Sequence, residues 1–299
     1  MTKDLVSVII PVYNNIHLLH DSLSSVVNQT YPYIEIIVVD DGSKSHQKIM
    51  RISKDFKKKI KILKLKINQG VATALNMGIA EAKGKYINWL SHDDLFKPTK
   101  IEEQIKSLKG STNKISSTNF LVWDSERNKK KNSSLKEDHF FDLEKKILIR
   151  DVYNFCTLLI PRKLFHNNLF DQNLKYTQDY QMLLKLSKKA KFIFLNKNLL
   201  IVRKHLGQGS YKKKKNWILE KNLFYINNMN LYMNLFNSEK SIIAIFEILF
   251  FLHLKRLDDF SFYLHHSIRK LNNKKIIIVN QLAKITAKIC IIFFYFKGK

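Results

Sequence analysis

The chain has 299 residues, 45% of them hydrophobic and 26% charged, which is ordinary globular usage and excludes collagen-like, low-complexity and wholly disordered proteins. Its 52 Lys and Arg against 25 Asp and Glu leave a net charge of +27. That excess points to an anionic partner: a nucleic acid, a membrane surface or a phosphorylated substrate. Cys156 and Cys290 form no C-x-x-C pair, which speaks against a disulfide framework or structural zinc and for a reducing, cytoplasmic setting. The start of the chain does not read as a secretory signal, because Asp4 follows Lys3 and Pro11 interrupts the short apolar run. The apolar stretch Ser241–Leu254 contains Glu247 and His253 and falls short of the roughly 20 residues that a spanning helix needs.

Val6–Tyr13 is a β-branched run ending in Asn14. Leu19, Leu23, Val26 and Val27 then recur at helical spacing, and Ile34–Val39 forms a second strand closed by Asp40-Asp41-Gly42-Ser43. Ile60–Leu65 alternates Ile and Leu with Lys, as a strand with one wet face does. Val71–Ala82 reads as a helix with Gly84 as its stop, and Lys85–Leu90 as a strand running into Ser91-His92-Asp93-Asp94. Pro98 opens a further helix at its first turn, with Ile101, Ile105 and Leu108 as the buried stripe. Residues 126–150, rich in Lys, Asn and Ser, read as a surface loop. Phe155–Ile160 resumes a buried run, Thr177–Ser187 is helical, and Phe192–Leu195 is a last strand. Beyond Tyr211 the pattern is helical and basic-apolar.

Alternating strands and helices predict an α/β fold with a mostly parallel sheet, in which ligands bind beyond the carboxyl ends of the strands. Three strand ends carry Tyr13-Asn14, Asp40-Asp41 and Asp93-Asp94. Such residues also terminate strands for purely structural reasons. Paired carboxylates become favourable when a hard divalent ion, Mg²⁺ or Mn²⁺, lies between them and an anionic ligand such as a diphosphate. Neither a P-loop nor a Gly-x-Gly-x-x-Gly turn is present.

Val8-Ile9-Ile10-Pro11-Val12-Tyr13-Asn14, Val38-Val39-Asp40-Asp41-Gly42-Ser43 and Gly84–Asp94 resemble the three ordered motifs of family-two glycosyltransferases of the GT-A fold. The resemblance covers roughly residues 5–210 and implies two regions: a GT-A domain over 1–210 and a helical region over 211–299. It further implies an inverting transferase that takes a sugar from a nucleotide donor, a UDP-sugar above others, in surface polysaccharide or glycolipid assembly. On that reading Pro11, Tyr13, Asp40, Asp41, Asn76 and Asp93 contact the donor, and Asp93, Asp94 and His205 hold the metal. Asp179, in Thr177-Gln178-Asp179-Tyr180, is the catalytic base. Residues 205–210 resemble the loop that folds over the diphosphate. Ser91 stands where the family places the first Asp of its metal motif, and Leu75 stands where many relatives carry Arg.

The implied acceptor is a glycan or a lipid-linked sugar. The C-terminal region, with Trp217, Tyr225, Tyr232, Phe246, Phe250 and Phe251, suits peripheral contact with the inner face of a membrane, a helical core or an oligomer contact. The competing readings are a noncatalytic nucleotide-sugar binder, kept alive by Ser91 and Leu75, and a basic nucleic-acid-binding protein suggested by charge alone. No zinc finger or RNA-binding signature supports the latter, so no nucleic-acid partner is expected.

Overall fold

A computed structural model describes residues 3–14, 16–56, 60–132, 154–205 and 214–228, together with 281 and 284. The chain divides into two compact units, Met1–Glu144 with Val152–Lys212, and Lys145–Asp151 with Lys213–Lys299.

The first unit is built on a mixed sheet. In chain order its elements are β1 (Val6–Val12), α1 (Leu19–Val27), β2 (Ile34–Asp40), α2 (His46–Lys54), β3 (Ile60–Lys64), α3 (Val71–Glu81), β4 (Tyr86–Trp89), β5 (Leu95–Phe96), α4 (Lys100–Leu108), β6 (Lys114–Asp124), β7 (Lys129–Asn132), β8 (Leu159–Pro161), α5 (Gln178–Ser187) and β9 (Lys191–Lys204). The strand order is β3-β2-β1-β4-β8-β6-β9-β5, with β7 paired to β6. The expected parallel arrangement holds from β3 to β4 and again between β6 and β9, whereas β8, β7 and β5 pair antiparallel. Every residue of β1 is buried, as a strand covered on both faces requires. Leu19, Leu23 and Val26 of α1 and Ile101, Ile105 and Leu108 of α4 join Val6, Val8, Ile10 and Val12 in one core. Each such side chain contributes about 1.5–3 kcal/mol on burial.

Pro11 explains how the sheet parts where a ligand can enter. Ile9 bonds toward β4, its carbonyl accepting from Leu90 N at 3.0 Å, while Val12 bonds toward β2 and accepts from Asp41 N at 2.9 Å. Alternation therefore aims position 11 at the β4 side, beyond Ile9↔Trp89, the last β1–β4 pair. A proline there removes a donor that no neighbouring strand would use. The strand order reverses between β1 and β4, the place where ligands of α/β sheets bind.

Four local expectations are corrected. α4 begins at Lys100, so Pro98 precedes it, and its carbonyl accepts from Thr30 N at 2.9 Å. α3 ends at Glu81 with Ala82 as its extended cap residue, and Gly84 is instead a close-packing glycine: a Cβ there would stand 2.5 Å from Ser7 Oγ. The last strand runs from Lys191 to Lys204, because it pairs along the whole of β6. Within 126–150, read as a loop, Lys129–Asn132 pair with Leu121–Asp124 as β7; residues 133–150 lie outside the described residues.

In the second unit, α6 spans Lys214–Asn227. Trp217 lies under the Lys221 ammonium, 4.2 Å from the ring centroid. No helix among the described residues is long and apolar enough to cross a membrane. Tyr232, Phe246, Phe250, Phe251 and Cys290 lie outside the described residues, as does the side chain of Tyr225.

Candidate active site at the carboxyl edge of the sheet

Three loops leave the carboxyl ends of β1, β2 and β4, and hydrogen bonds tie the first two together. Asn14 N donates to Ser43 Oγ at 2.9 Å, and Lys44 N donates to Asn14 Oδ1 at 3.0 Å. Asn14 adopts φ 55°, a left-handed conformation that asparagine tolerates. The joined turns leave Tyr13 45% exposed, its ring available at the rim.

The two carboxylates after β2 have different local duties. Asp40 is buried, accepts from Ser43 N at 2.8 Å and lies 2.7 Å from His46 Nδ1. Asp41 accepts from Gln69 N at 2.7 Å and Gly70 N at 2.9 Å, fastening the turn before α3. Burial pushes the Asp41 carboxyl above its ordinary range, with neighbouring Asp40 adding to the effect and the two amides opposing it. Asn76 is engaged elsewhere: its side-chain amide donates to Phe170 O at 2.8 Å and accepts from Phe170 N at 2.9 Å. It thereby seats Phe170 against Trp89 and Phe155, whose ring centroids lie 6.1 and 5.3 Å from that of Phe170.

The segment after β4 gives its two acidic side chains different partners at the end of β9. Ser22 Oγ lies 2.8 Å from the His92 carbonyl and 2.6 Å from the Asp94 carbonyl, pinning the turn to α1. Asp94 is buried and accepts from Arg203 N at 3.0 Å. Burial, then the charge of Asp93, drive its carboxyl well above the usual range. Asp93 keeps 14% of its side chain exposed, with its Oδ2 3.1 Å from His205 Nε2. Ser91 faces inward, with Oγ 3.5 Å from Cys156 Sγ. Burial lowers the His92 pKa, and its Nε2 has no hydrogen-bond partner among the described residues. A neutral imidazole is what that environment favours.

Arg203, Ser22, His17 and His46 were not legible as site residues. Arg203 is buried; its Nε donates to the Asp93 carbonyl at 2.6 Å and its Nη1 to Asp21 Oδ2 at 2.8 Å. An arginine directly after the apolar run Leu199–Val202 and two positions before His205 was the available signal. His17 approaches His205 edge-on, with ring centroids 6.4 Å apart.

Asp179 lies in the first turn of α5, where the exposed peptide dipoles favour a carboxylate. It lines a shallow pocket with Phe155, Tyr180 and Leu183. Phe155 precedes Cys156, which touches Ser91, so this pocket adjoins the turn that carries Asp93. The fold thus brings Tyr13, Asp41 and Asp93 to one edge, with the Asp179 pocket beside it. Asp40, Asp41, Asp94 and Asn76 are buried and have polar atoms engaged in holding the loops, and residues 206–210 lie outside the described residues.

Among the described residues, no three His, Cys, Asp or Glu side chains form a ready-made metal cage. Asp93 and His205 nevertheless offer one oxygen and one nitrogen side by side. That donor pair fits a divalent ion that draws the rest of its shell from a diphosphate and water.

The sequence pattern described as Glycosyl transferase family 2 matches residues 7–172. An uncharacterized glycosyltransferase of Rickettsia bellii is 38% identical over 218 residues, covering 70% of this chain and 31% of its own length. The present chain therefore spans about a third of that relative. Among solved structures, S. aureus TarS 1–349 in complex with UDP-GlcNAc superposes with a TM-score of 0.63 at 15% identity, over 95% of this chain and 91% of that 1–349 fragment. A mannosyltransferase from Pyrobaculum calidifontis, in complex with GDP-Man and Mn²⁺, gives 0.57 at 17% identity, over 97% and 76%. These likenesses establish the GT-A fold.

Proposed function

Because the chain belongs to glycosyl transferase family 2, we propose that it moves a sugar from a nucleoside-diphosphate donor, a UDP-sugar, to an acceptor hydroxyl with inversion at the sugar carbon. The observation that carries this reading is the meeting of Tyr13, Asp41 and Asp93 at the carboxyl edge, with Asp93 beside His205. In it, Tyr13 flanks the nucleotide base and Asp41 faces the base edge. Asp93 and His205 hold a divalent ion, Mn²⁺ or Mg²⁺, which when bound offsets the charge developing on the departing diphosphate. Asp179 accepts the proton of the attacking hydroxyl, its pocket receiving the acceptor; that transfer requires an oxygen within about 2.6–3.2 Å of its carboxylate. Asp94 and Arg203 keep the Asp93 turn in place, and Asn76 keeps the aromatic floor formed by Trp89, Phe155 and Phe170. Holding donor and acceptor in line contributes much of the acceleration.

A noncatalytic sugar-nucleotide binder is favoured by one observation: Ser91 faces Cys156 and adds no charge to the metal side. Calorimetric titration with UDP, in manganese and in chelator, combined with a screen for sugar release from several nucleotide sugars, separates the readings. Manganese-dependent affinity with release of one sugar supports the transferase. Manganese-dependent affinity without release from any donor supports the binder. Equal affinity in manganese and chelator overturns the metal-assisted site.

Residues 211–299 are proposed as a separate region in peripheral contact with a cytoplasmic membrane face. Flotation with anionic vesicles, with and without those residues, tests the contact; equal and negligible binding removes it.

A further inference from the structure

The sheet is uneven along its carboxyl edge. Asn88 of β4 pairs with Leu159 of β8, which pairs with Ser116 of β6. Two antiparallel pairings in succession make β6 run in the same direction as β4. The chain leaves β4 after Trp89, whereas β6 continues from Ser117 to Asp124, roughly 25 Å of further strand. The β6/β7 hairpin consequently overhangs the end of β4, and its tip stands level with Asp93, because Arg203, the partner of Trp123 in β6, donates to the Asp93 carbonyl. Its tip is stitched to the site, since Ser125 donates from N and Oγ to the Lys204 carbonyl at 3.2 and 3.0 Å, one residue before His205.

This overhang is basic. Arg127, Lys129, Lys130, Lys131 and Lys204 are exposed, while Asp124 caps the turn by accepting from Arg127 N at 3.0 Å, and Glu126 is the other acid there. Lys130 lies over the Trp123 ring, 5.8 Å from its centroid. Lys129 and Lys131, on the other face of β7, form no ion pair with any described residue. Of the large apolar side chains exposed among the described residues, Tyr13, Tyr33, Ile67, Leu169, Leu219 and Leu223, none lies on the hairpin. Insertion into a bilayer is therefore not what its surface chemistry serves.

Resting on the transferase reading above, we propose that the β6/β7 hairpin binds the acceptor, and that the acceptor is an anionic glycan chain bearing phosphate or carboxylate groups. Lys129, Lys130 and Lys131 neutralise charges along the chain while its terminal sugar reaches the adjoining site. The complementarity is electrostatic, so binding weakens as salt screens it. Lysines on an exposed edge strand also discourage strand-to-strand aggregation, and the test separates that role from ligand binding.

The full-length protein is titrated with two probes of the proposed chemistry, polygalacturonate and inorganic polyphosphate, with neutral dextran as reference. Two triple variants are compared. K129Q/K130Q/K131Q strips the hairpin, and K109Q/K114Q/K191Q removes the same charge near the opposite ends of β6 and β9, where Lys114 pairs with Lys191. The hairpin variant is expected to lose about tenfold or more in affinity for both polyanions, with the distal variant unchanged and dextran unbound by all. Equal losses in the two variants, or no loss in either, overturn the proposal. So does aggregation of the hairpin variant with unaltered polyanion affinity, which assigns the lysines to edge protection. Hairpin-dependent binding to phosphatidylglycerol vesicles but to neither polyanion overturns it in favour of a membrane surface. UDP titration of the same proteins reports separately on the donor reading, because none of these lysines belongs to the donor side.

Discussion

Asp93 and His205 are separated by 112 positions, yet His205 Nε2 stands 3.1 Å from Asp93 Oδ2. The contact exists because β9 runs beside β6 to Lys204 and because Arg203 grips the Asp93–Asp94 turn from within. If the two side chains share one ion, their contributions are not independent. Asp93→Asn and His205→Ala should each lower the manganese-dependent affinity for UDP about tenfold, and the double variant should lose less than the two combined. Calorimetry on the four proteins measures this. Full additivity would separate His205 from the metal.

Asp179 is the test of the chemistry rather than of binding. Asp179→Asn should lower turnover by about 10²–10⁴-fold while leaving UDP affinity unchanged. The helix-terminal contribution of the same carboxylate is about 0.3–1 kcal/mol, which a melting curve will register as a small shift. A variant that loses only stability assigns Asp179 to the helix.

Gly42 is required for steric reasons. It has φ +73°, and a Cβ there would stand 2.4 Å from the Ile67 carbonyl carbon and 2.6 Å from Asn68 N. Gly110 has φ +75° with only Lys85 Nζ at 3.8 Å. Gly110→Ala should therefore cost about 1–2 kcal/mol from backbone conformation alone. Gly42→Ala should cost clearly more, because the turn between Asp41 and Gln69 must also open. Denaturant titration of both variants gives the comparison; equal losses would mean that the turn yields freely.

Lys100 is fully buried, its Nζ 2.7 Å from Gln104 Oε1 and 4.3 Å from the centre of the Phe96 ring. Burial lowers its pKa from 10.5 to about 7, with Cys156 opposing. Between pH 7 and pH 10.5 the unfolded chain retains a proton that the folded chain has released. Stability must therefore rise with pH across that window, by up to about 1.4 kcal/mol per pH unit. Lys100→Met should flatten this rise. Urea denaturation at a series of pH values compares the two proteins, and parallel curves would refute it.

What was legible in the sequence was local. The apolar runs of β1, β2 and β4 and the helical stripes of α1 and α4 were plain, because burial imposes its period directly on the residues. Gly42 and the strand-end residues Tyr13, Asp41 and Asp93 could be read because turns and strand ends restrict residue type. β6 and β7 were missed, since Lys129, Lys130 and Lys131 lie on an exposed edge strand and carry no apolar alternation.

The sequence by itself determined the alternation of strands and helices as far as α4, the family and the residues available for chemistry. Only the tertiary structure decided which of those residues remain available. Asp93 and Asp94 are adjacent and chemically identical, but Arg203 draws Asp94 inward from a strand more than a hundred residues away. Asn76 is likewise taken up by the Phe170 backbone. A side chain's partner depends on long-range strand pairing, and no short window of residues contains that information.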